Sequence, residues 1–232
     1  MALISPSDQQ KLQESFAEMT RPVRLLFFTQ IIGCDGCRLT KQILEELPPL
    51  SEKIAIEEVN LILEGERAAE YGIDRAPSIA VTYFDETPDL LGAGNPAGVW
   101  RDSRMRFLGA PAGYEFVSLV QAVLLAGGRP SLLAEETLKR IASVDRPVAV
   151  QVFTTPTCPH CPRAVSLAHE MAFANPNITA CAVEATEFPD LAQRYKVTGV
   201  PKTVVNDDVE IFGALPEDAF VDQALGKFSV GS

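Results

Sequence analysis

The feature that most constrains this 232-residue chain is an internal repeat. Each copy contains a C-x-x-C pair, and 43 positions separate its first cysteine from a proline, in Cys34 to Pro77 and in Cys158 to Pro201. Matching apolar runs precede the pairs, VRLLFFT and VAVQVFT, at a constant offset of 124 residues. One C-x-x-C pair arises easily by chance, but two copies of the same framework indicate a duplication.

The junction between the copies follows from turn residues and from a change of offset. The offset falls to 104 residues between FLGAPAGYEFVSLV and IFGALPEDAFVDQA, so the first copy holds about 20 extra residues near 85–104. This insertion is typical of a surface loop, with a shield over the first cysteine pair or a contact surface as alternatives. The sequence GGRPS ends one helix and offers Ser131 as the N-cap of the next. We therefore predict two domains, residues 1–128 and 129–232.

Each copy has the pattern helix, strand, C-x-x-C, helix, strand, helix, strand, strand, helix. Strands that alternate with helices favour parallel pairing, whereas the last two strands are too close in sequence for a crossover and should be antiparallel. The fold class is therefore α/β, with two tandem domains that each have a central mixed sheet flanked by helices. The leading helices are amphipathic, with apolar residues at helical spacing: Leu12, Phe16 and Met19, then Ala134, Leu138 and Ile141.

Composition limits the partners and the compartment. A net charge of −11 argues against a nucleic-acid surface, which requires a basic footprint. No apolar run approaches the roughly 20 residues of a membrane helix, and MALISPSDQQKLQESF lacks the pattern of a signal peptide. We therefore expect a cytoplasmic protein with no nucleic-acid or membrane partner. In that compartment, paired cysteines are more often catalytic or metal-binding than structural.

Four cysteines in two pairs could form a Cys₄ zinc site. The usual spacing between such pairs is about 15–20 residues, whereas 120 residues lie between these two. Redox chemistry is therefore favoured, with a metal site and an inert buried pair as the alternatives.

Each cysteine pair lies between an apolar strand and a helix, at the helix N-terminus. Free backbone N–H groups and the positive end of the helix dipole stabilise an anion there. A thiol in that position has a pKa lowered from ~8.5 into the range of about 3.5–7.5. We predict that Cys34 and Cys158 are the attacking thiols and that Cys37 and Cys161 resolve the mixed disulfides.

The dipeptides between the cysteines predict different chemistry at the two sites. In CPHC, the imidazole of His160 can be cationic or donate to the thiolate, which favours the reduced form and makes the disulfide more oxidising. A solvated loop histidine is the alternative for His160. In CDGC, the carboxylate of Asp35 disfavours a neighbouring thiolate. We therefore predict that the Cys158 site is the more acidic and the more oxidising.

The matched prolines, Pro77 and Pro201, follow the cysteines at a fixed distance. This placement suggests cis peptide bonds, which are usually retained for a purpose. A cis bond would turn the backbone of Ala76 and Val200 toward the sulfurs. These four residues could then pair with an extended substrate segment.

C-x-x-C after the first core strand, followed by YxxxxxP, resembles the thioredoxin fold. Two such units in one chain resemble the glutaredoxin-like protein disulfide oxidoreductases, over roughly residues 8–228. The resemblance implies a dithiol–disulfide oxidoreductase of protein substrates that needs no cofactor. It also implies that the C-terminal pair, Cys158 and Cys161, is the dominant site. The CPHC sequence further resembles the centre of bacterial periplasmic thiol oxidases.

The chain departs from thioredoxins at the buried acid that precedes the first cysteine by six residues. Those positions hold Phe28 and Val152, so another group must handle the proton of the resolving thiol. Glu58 and Glu184 are candidates, with surface or strand-end carboxylates as the alternative reading. Two other side chains of reactive type are expected to be structural, Cys181 and His169.

Three functions fit these patterns. The leading hypothesis is disulfide exchange on protein disulfides and dithiols through Cys158 and Cys161, with the CDGC pair as an auxiliary site. The second is an electron-transfer adapter between a flavin disulfide reductase, of the thioredoxin reductase type, and a peroxidase. The third is a peptide- or metal-binding module without turnover.

Overall fold

The computed structural model describes residues 3–87 and 98–228. Helices and strands follow the predicted order in both units. The strands are β1 (Val23–Thr29), β2 (Ile54–Asn60), β3 (Ser78–Asp85), β4 (Val99–Leu108), β5 (Val148–Thr154), β6 (Ile178–Glu184), β7 (Lys202–Val205) and β8 (Val209–Phe212). The α-helices are α1 (Pro6–Ala17), α2 (Cys37–Glu45), α3 (Gly65–Glu70), α4 (Glu115–Ala126), α5 (Glu135–Ala142), α6 (Cys161–Ala174), α7 (Pro189–Arg194) and α8 (Glu217–Leu225).

The pairing within each unit confirms the predicted mixed sheet. Strand β1 pairs with β2 in parallel and with β3 antiparallel, and β3 pairs with β4 antiparallel. The second unit repeats this arrangement with β5, β6, β7 and β8. The short connection between the last two strands of each unit therefore produces a hairpin, as expected.

The two sheets are continuous, which the sequence patterns do not reveal. Strand β4 pairs in parallel with β6, from Met105 opposite Ala180 to Leu108 opposite Val183. One eight-stranded sheet results, in the order β2-β1-β3-β4-β6-β5-β7-β8. The closing strand of the first unit thus joins the second strand of the next unit, so the two units are arranged head to tail.

The central strands are apolar on both faces because helices cover the sheet on both sides. Leu25, Leu26, Phe27 and Phe28 of β1 are all buried, as expected for a strand that packs against helices in two directions. Within residues 3–87 and 98–228, no helix has the length and apolar character needed to cross a membrane.

The insertion in the first unit is partly strand, so the prediction of a surface loop is wrong for residues 99–104. It lengthens the closing hairpin, in which Asp85 lies opposite Val99. The Trp100 ring lies 5.5 Å from that of Phe84, and the Arg24 guanidinium lies 4.2 Å from the Trp100 ring. These contacts on the strand surface make extended backbone more favourable than a loop. Residues 88–97 of the insertion lie outside the described residues.

Ser131 does not cap a helix, contrary to the prediction. Helix α5 begins at Glu135 and has Ala134 at its N-cap. The Ser131 hydroxyl donates instead to Glu170 Oε2 at 2.6 Å, beside the ion pair of Arg129 with Glu170. Glu170 is buried, and a buried carboxylate needs these donors more than an exposed helix end does.

Arg104 connects the two units at the C-terminus of α6. Its backbone is in the left-handed region, with φ of 64°, and its side chain extends into the second unit. There Nε donates to the carbonyl of Ala172 at 2.9 Å and Nη2 donates to that of Phe173 at 3.1 Å. A cation that binds the last carbonyls of a helix satisfies orphan acceptors and complements the helix dipole.

We expect Arg104→Ala to lower the free energy of unfolding by about 2 kcal/mol, because partly buried carbonyls at the end of α6 lose a charged donor. Urea unfolding at equilibrium measures the change. Arg146→Ala is the matched control, since Arg146 is exposed and pairs with its neighbour Asp145; its effect should stay within about 0.5 kcal/mol. Equal effects of the two substitutions would contradict the capping role.

Candidate functional site

The two cysteine pairs lie at the same end of the shared sheet, where β1 and β5 terminate. Strands β1, β4, β6 and β5 all run in one direction, because β1 and β4 are each antiparallel to β3 and the other pairings are parallel. The C-terminal ends of β1 and β5, which lead into the cysteines, therefore lie at the same end of the sheet. They are four strand spacings apart, or roughly 19 Å along the sheet.

Both pairs form disulfides, with Cα–Cα distances of 5.4 Å for Cys34–Cys37 and 5.5 Å for Cys158–Cys161. In each pair the second cysteine begins a helix. Cys161 is fully buried, whereas Cys158 retains 7% of its surface. Cys34 is half-buried and Cys37 is buried. In each pair the first cysteine is more exposed than the second.

The sulfur of Cys158 lies in line with the start of α6. Its Sγ accepts the backbone N–H of Cys161 at 3.1 Å, and Cys161 is the first residue of that helix. An amide directed at the sulfur, together with the helix dipole, stabilises a thiolate after reduction. This geometry gives the CPHC centre the features of a nucleophilic thiol.

The CDGC centre is arranged differently. The equivalent amide of Cys37 donates to the carbonyl oxygen of Cys34, at 3.4 Å, and not to the sulfur. Gly36 is the N-cap of α2, and no side chain caps this helix. The two centres therefore share a sequence spacing but differ in how the helix start contacts the first cysteine.

Both predicted cis peptide bonds are confirmed, at Ala76–Pro77 and at Val200–Pro201. The loop after each closing hairpin returns to its proline: the Gly109 N–H donates to the Pro77 carbonyl at 2.9 Å, and the equivalent bond joins Gly213 to Pro201. Pro77 also faces the CDGC turn, since its Cγ lies 3.2 Å from where a Cβ on Gly36 would stand. The prolines thus occupy equivalent places in the two units.

The positions of the thioredoxin acid are apolar and buried, at Phe28 and Val152. Of the two predicted substitutes, Glu58 lies on the surface and pairs with Lys41 at 2.5 Å. Glu184 is buried, and its carboxylate accepts bonds from its own turn, from the hydroxyl of Thr186 and the backbone N–H of Glu187.

A buried carboxylate that the sequence patterns did not single out lies at the start of α4. Glu115 is 2% exposed. The start of this helix is fixed to the loop before Cys158, because the Tyr114 N–H donates to the Pro156 carbonyl at 2.9 Å, and α4 packs along α6. Burial raises the pKa of Glu115 to about 7, and Ser118 opposes this shift more weakly. A single carboxylate in the apolar helix EFVSLVQAVLLA was the available signal.

The remaining reactive side chains are less well suited to exchange chemistry. His160 is exposed and makes no capping hydrogen bond. His169 is buried, with Nε2 at 3.2 Å from the Arg106 carbonyl oxygen, and burial lowers its pKa to about 4. Cys181 lines a cavity of about 330 Å³ at the junction of the units, and burial raises its pKa to about 12.

No three His, Cys, Asp or Glu side chains cluster for a metal ion within residues 3–87 and 98–228.

An exposed apolar patch lies beside the CDGC centre. It consists of Ile31 and Ile32, which precede Cys34, and Ile62 and Leu63, which follow β2; their exposed fractions are 93%, 86%, 73% and 83%. We call these four residues the apolar rim. The two loops that carry them are adjacent, because the Leu61 N–H donates to the Thr29 carbonyl at 2.8 Å. Exposed apolar side chains grouped in this way commonly mark interaction surfaces.

We expect Glu115→Gln to raise the free energy of unfolding at pH 8 by up to about 3 kcal/mol, with no change near pH 4. The carboxyl has a higher pKa when folded than when unfolded, so the native state loses stability as the pH rises from about 4.5 to about 7. Below that window both states are protonated. Urea unfolding at the two pH values measures the difference.

Glu136→Gln is the control, since Glu136 occupies the first turn of α5 but is exposed. A gain for Glu115→Gln of equal size at both pH values would contradict a buried carboxyl with a raised pKa.

Comparison with known proteins agrees with this geometry. The family described as the thioredoxin domain matches residues 148–226. Thioredoxin of Methanocaldococcus jannaschii is 37% identical over 76 residues, which cover 32% of this chain and 89% of that protein. The F subunit of alkyl hydroperoxide reductase from Escherichia coli K12 is 28% identical over 196 residues, 84% of this chain and 32% of that protein.

Two solved structures cover nearly the whole chain. The NTD_N/C domain of alkylhydroperoxide reductase AhpF from Enterococcus faecalis has a TM-score of 0.82 and 27% identity, over 95% of this chain and 99% of that one. A protein disulfide oxidoreductase from Aeropyrum pernix K1 has a TM-score of 0.81 and 27% identity, over 97% and 93%.

The chain spans about a quarter to a third of the length of the alkyl hydroperoxide reductase relatives it matches. The similarity to thioredoxin covers most of that smaller protein, and both units have the expected pairing, cysteine placement and cis-proline. The chain therefore belongs to the thioredoxin family.

Proposed function

We propose that the chain is a thiol–disulfide oxidoreductase of protein substrates, with Cys158 and Cys161 as its principal centre and Cys34 and Cys37 as a second one. The observation that carries this proposal is the 3.1 Å hydrogen bond from the first amide of α6 to the sulfur of Cys158. That bond favours the thiolate, which is the nucleophile in disulfide exchange.

In the proposed reaction, the Cys158 thiolate attacks a substrate disulfide and forms a mixed disulfide, while one substrate sulfur leaves as a thiolate. Cys161 then loses its proton and attacks Cys158 Sγ. The Cys158–Cys161 disulfide forms, and the second substrate sulfur leaves. The substrate gains two electrons and the enzyme loses two; the reverse steps oxidise a dithiol.

Glu115 is the group that we propose for the proton of Cys161. Its helix is fixed to the loop that carries Cys158, and a carboxyl with a pKa of about 7 can both accept and return a proton near neutral pH. Glu115 would take the role of the buried acid of thioredoxins, whose position is occupied here by Val152.

Two features favour protein substrates over small disulfides. The apolar rim offers a contact surface beside the CDGC centre. The peptide bonds Ala76–Pro77 and Val200–Pro201 are cis, and we propose that the backbone before each proline pairs with an extended substrate segment. The similarity to a protein disulfide oxidoreductase from Aeropyrum pernix is in keeping with such substrates.

An electron-transfer adapter is the second candidate function. It is favoured by the similarity of almost the whole chain to the NTD_N/C domain of AhpF. In that function the same exchange steps would pass electrons from a flavin disulfide reductase to a peroxidase. The glutaredoxin-like character of the chain and a cytoplasmic location stay predictions.

We expect Cys158→Ser to reduce the rate of insulin-disulfide reduction by dithiothreitol by about 100-fold or more, because a hydroxyl does not replace a thiolate nucleophile. Cys34→Ser should lower the rate by less than about threefold. In glutathione buffers, the Cys158–Cys161 couple should titrate at least about 30 mV above the other, a tenfold difference in equilibrium constant.

Turnover that survives Cys158→Ser would overturn the assignment of the principal centre. Peptide binding without turnover in either variant or in the unmodified chain would favour a non-catalytic module. The adapter function predicts NADH oxidation that requires a flavin disulfide reductase, this chain, a thiol peroxidase and peroxide together.

A further inference from the structure

The turn after β6 carries a carboxylate from the second unit into the first. Residues 185–188 connect β6 to α7. In the first unit the equivalent turn follows the outer strand β2, but β6 lies next to β4 inside the shared sheet. The turn that contains Glu187 therefore faces the loop after β4 and the CDGC centre, and not solvent alone.

The carboxyl group of Glu187 lies on the backbone of Gly36, the residue between Cys34 and Cys37. A Cβ built on Gly36 would stand 1.9 Å from Glu187 Oε2 and 2.8 Å from its Cδ. The other oxygen, Oε1, accepts the Ala110 N–H at 2.7 Å. A glycine at position 36 leaves room for this approach, whereas a Cβ there would displace the carboxyl group.

Other contacts fix Glu187 in this place. Its backbone N–H donates to Glu184 Oε2 at 2.6 Å. Gly109, with φ of +99°, lets the chain pass closely, since a Cβ there would stand 2.5 Å from Glu184 Cβ and 3.3 Å from Glu187 Oε1. The carboxyl is thus held by two units at once, in a fixed relation to the start of α2.

We propose that Glu187 of the second unit is the proton acceptor for the resolving thiol of the first unit, Cys37. The CDGC centre is then a composite site, completed by a residue 150 positions later in the chain. This inference rests on the proposed exchange chemistry and assigns the group that Phe28 does not supply.

The Cys34 thiolate has attacked a disulfide and forms a mixed disulfide with one of its sulfurs. The thiol proton of Cys37 moves to the Glu187 carboxylate as Cys37 Sγ attacks Cys34 Sγ. The Cys34–Cys37 disulfide forms, the bond between Cys34 and the substrate sulfur breaks, and that sulfur leaves with the electron pair as a thiolate.

The surroundings of Glu187 make its carboxylate a stronger proton acceptor than an exposed carboxylate. Burial raises its pKa, the Ala110 N–H lowers it, and the charge of Glu184 raises it. Such a shift brings a carboxyl closer to the pKa of an efficient proton acceptor. Arg75 pairs with Asp190 at 2.6 Å. Besides Glu184, the turns and helix starts next to Glu187 carry the charged side chains of Asp35, Arg38, Asp74, Arg75 and Asp190.

The test uses the full chain with Cys158→Ser, Cys161→Ser and Cys181→Ala, so that Cys34 and Cys37 are the two thiols that remain of the five in the sequence. The reduced protein reacts with 5,5′-dithiobis(2-nitrobenzoate), and each protein releases two coloured thiolates in sequence. The first release reports the attack by Cys34, and the second reports the resolution by Cys37. A stopped-flow trace therefore separates the two steps.

In this background, Glu187→Gln should slow the second release at pH 7 by at least about tenfold, within the range of general-base effects. The first release should be unchanged or faster, because loss of a negative charge does not disfavour a thiolate. The rate of the second step should also lose the acidic limb of its pH profile, since that limb reflects protonation of Glu187 as the pH falls.

Glu58→Gln is the matched control: it makes the same chemical change in the first unit, on an exposed carboxylate paired with Lys41. It should leave both phases within about twofold. Two normal phases and an unchanged pH profile in Glu187→Gln would overturn the role of Glu187 while the exchange function stands. If CDGC exchanges in no variant, the redox function of this centre and the inference both fall.

A second variant, Gly36→Ala, tests the same contact if Glu187→Gln misfolds. Gly36→Ala forces a methyl group into the place of the Glu187 carboxyl, so it should slow the second release by itself. In the presence of Glu187→Ala it should have less effect, because the carboxyl is no longer there to be displaced. Additive effects of the two changes would contradict a contact between these residues.

Discussion

The parallel pairing of β4 with β6 is the contact on which the arrangement of both sites depends. It fuses two mixed sheets into one and fixes their relative direction. Because β1 and β5 then run in the same direction, both cysteine pairs lie at the same end of the sheet. The pairing also brings the turn that carries Glu187 against the first unit and lets Arg104 bind the end of α6. A different join would leave each unit with its cysteines but without these contacts.

The two centres use the helix start in different ways, and this is the basis of their expected division of labour. At CPHC the first amide of α6 donates to the sulfur of Cys158, so a thiolate formed there has a direct donor. At CDGC the amide turns to a carbonyl, and a carboxyl from the other unit lies on the turn. A donor favours the reduced form, whereas a nearby negative charge disfavours a thiolate. Environment thus separates two centres that have the same spacing.

Local sequence patterns were sufficient to predict the order of helices and strands, the strand pairing within each unit and the two cis-prolines. Each of these follows from turn residues, hydrophobic periodicity and the internal repeat. The join between units was not predictable from these signals, since the register of β4 on β6 depends on contacts far apart in sequence. Glu187 and Glu115 were missed for the same reason: each gains its burial from that docking. Ser131 failed as a helix cap because the buried Glu170 binds its hydroxyl.

The head-to-tail join has a consequence for the outer strands. The contact pairs the closing strand of one unit with the second strand of the other. A strand of each type remains unpaired on its outer side, β2 at one edge of the sheet and β8 at the other. A contact of this type, without a rotation that closes it, can repeat from one molecule to the next and form a fibre. Strand β8 has four residues where β4 has ten, and Glu58 and Glu210 place charge on the outer strands. Short and charged edges disfavour pairing between chains, so the shortened hairpin of the second unit opposes growth beyond one molecule.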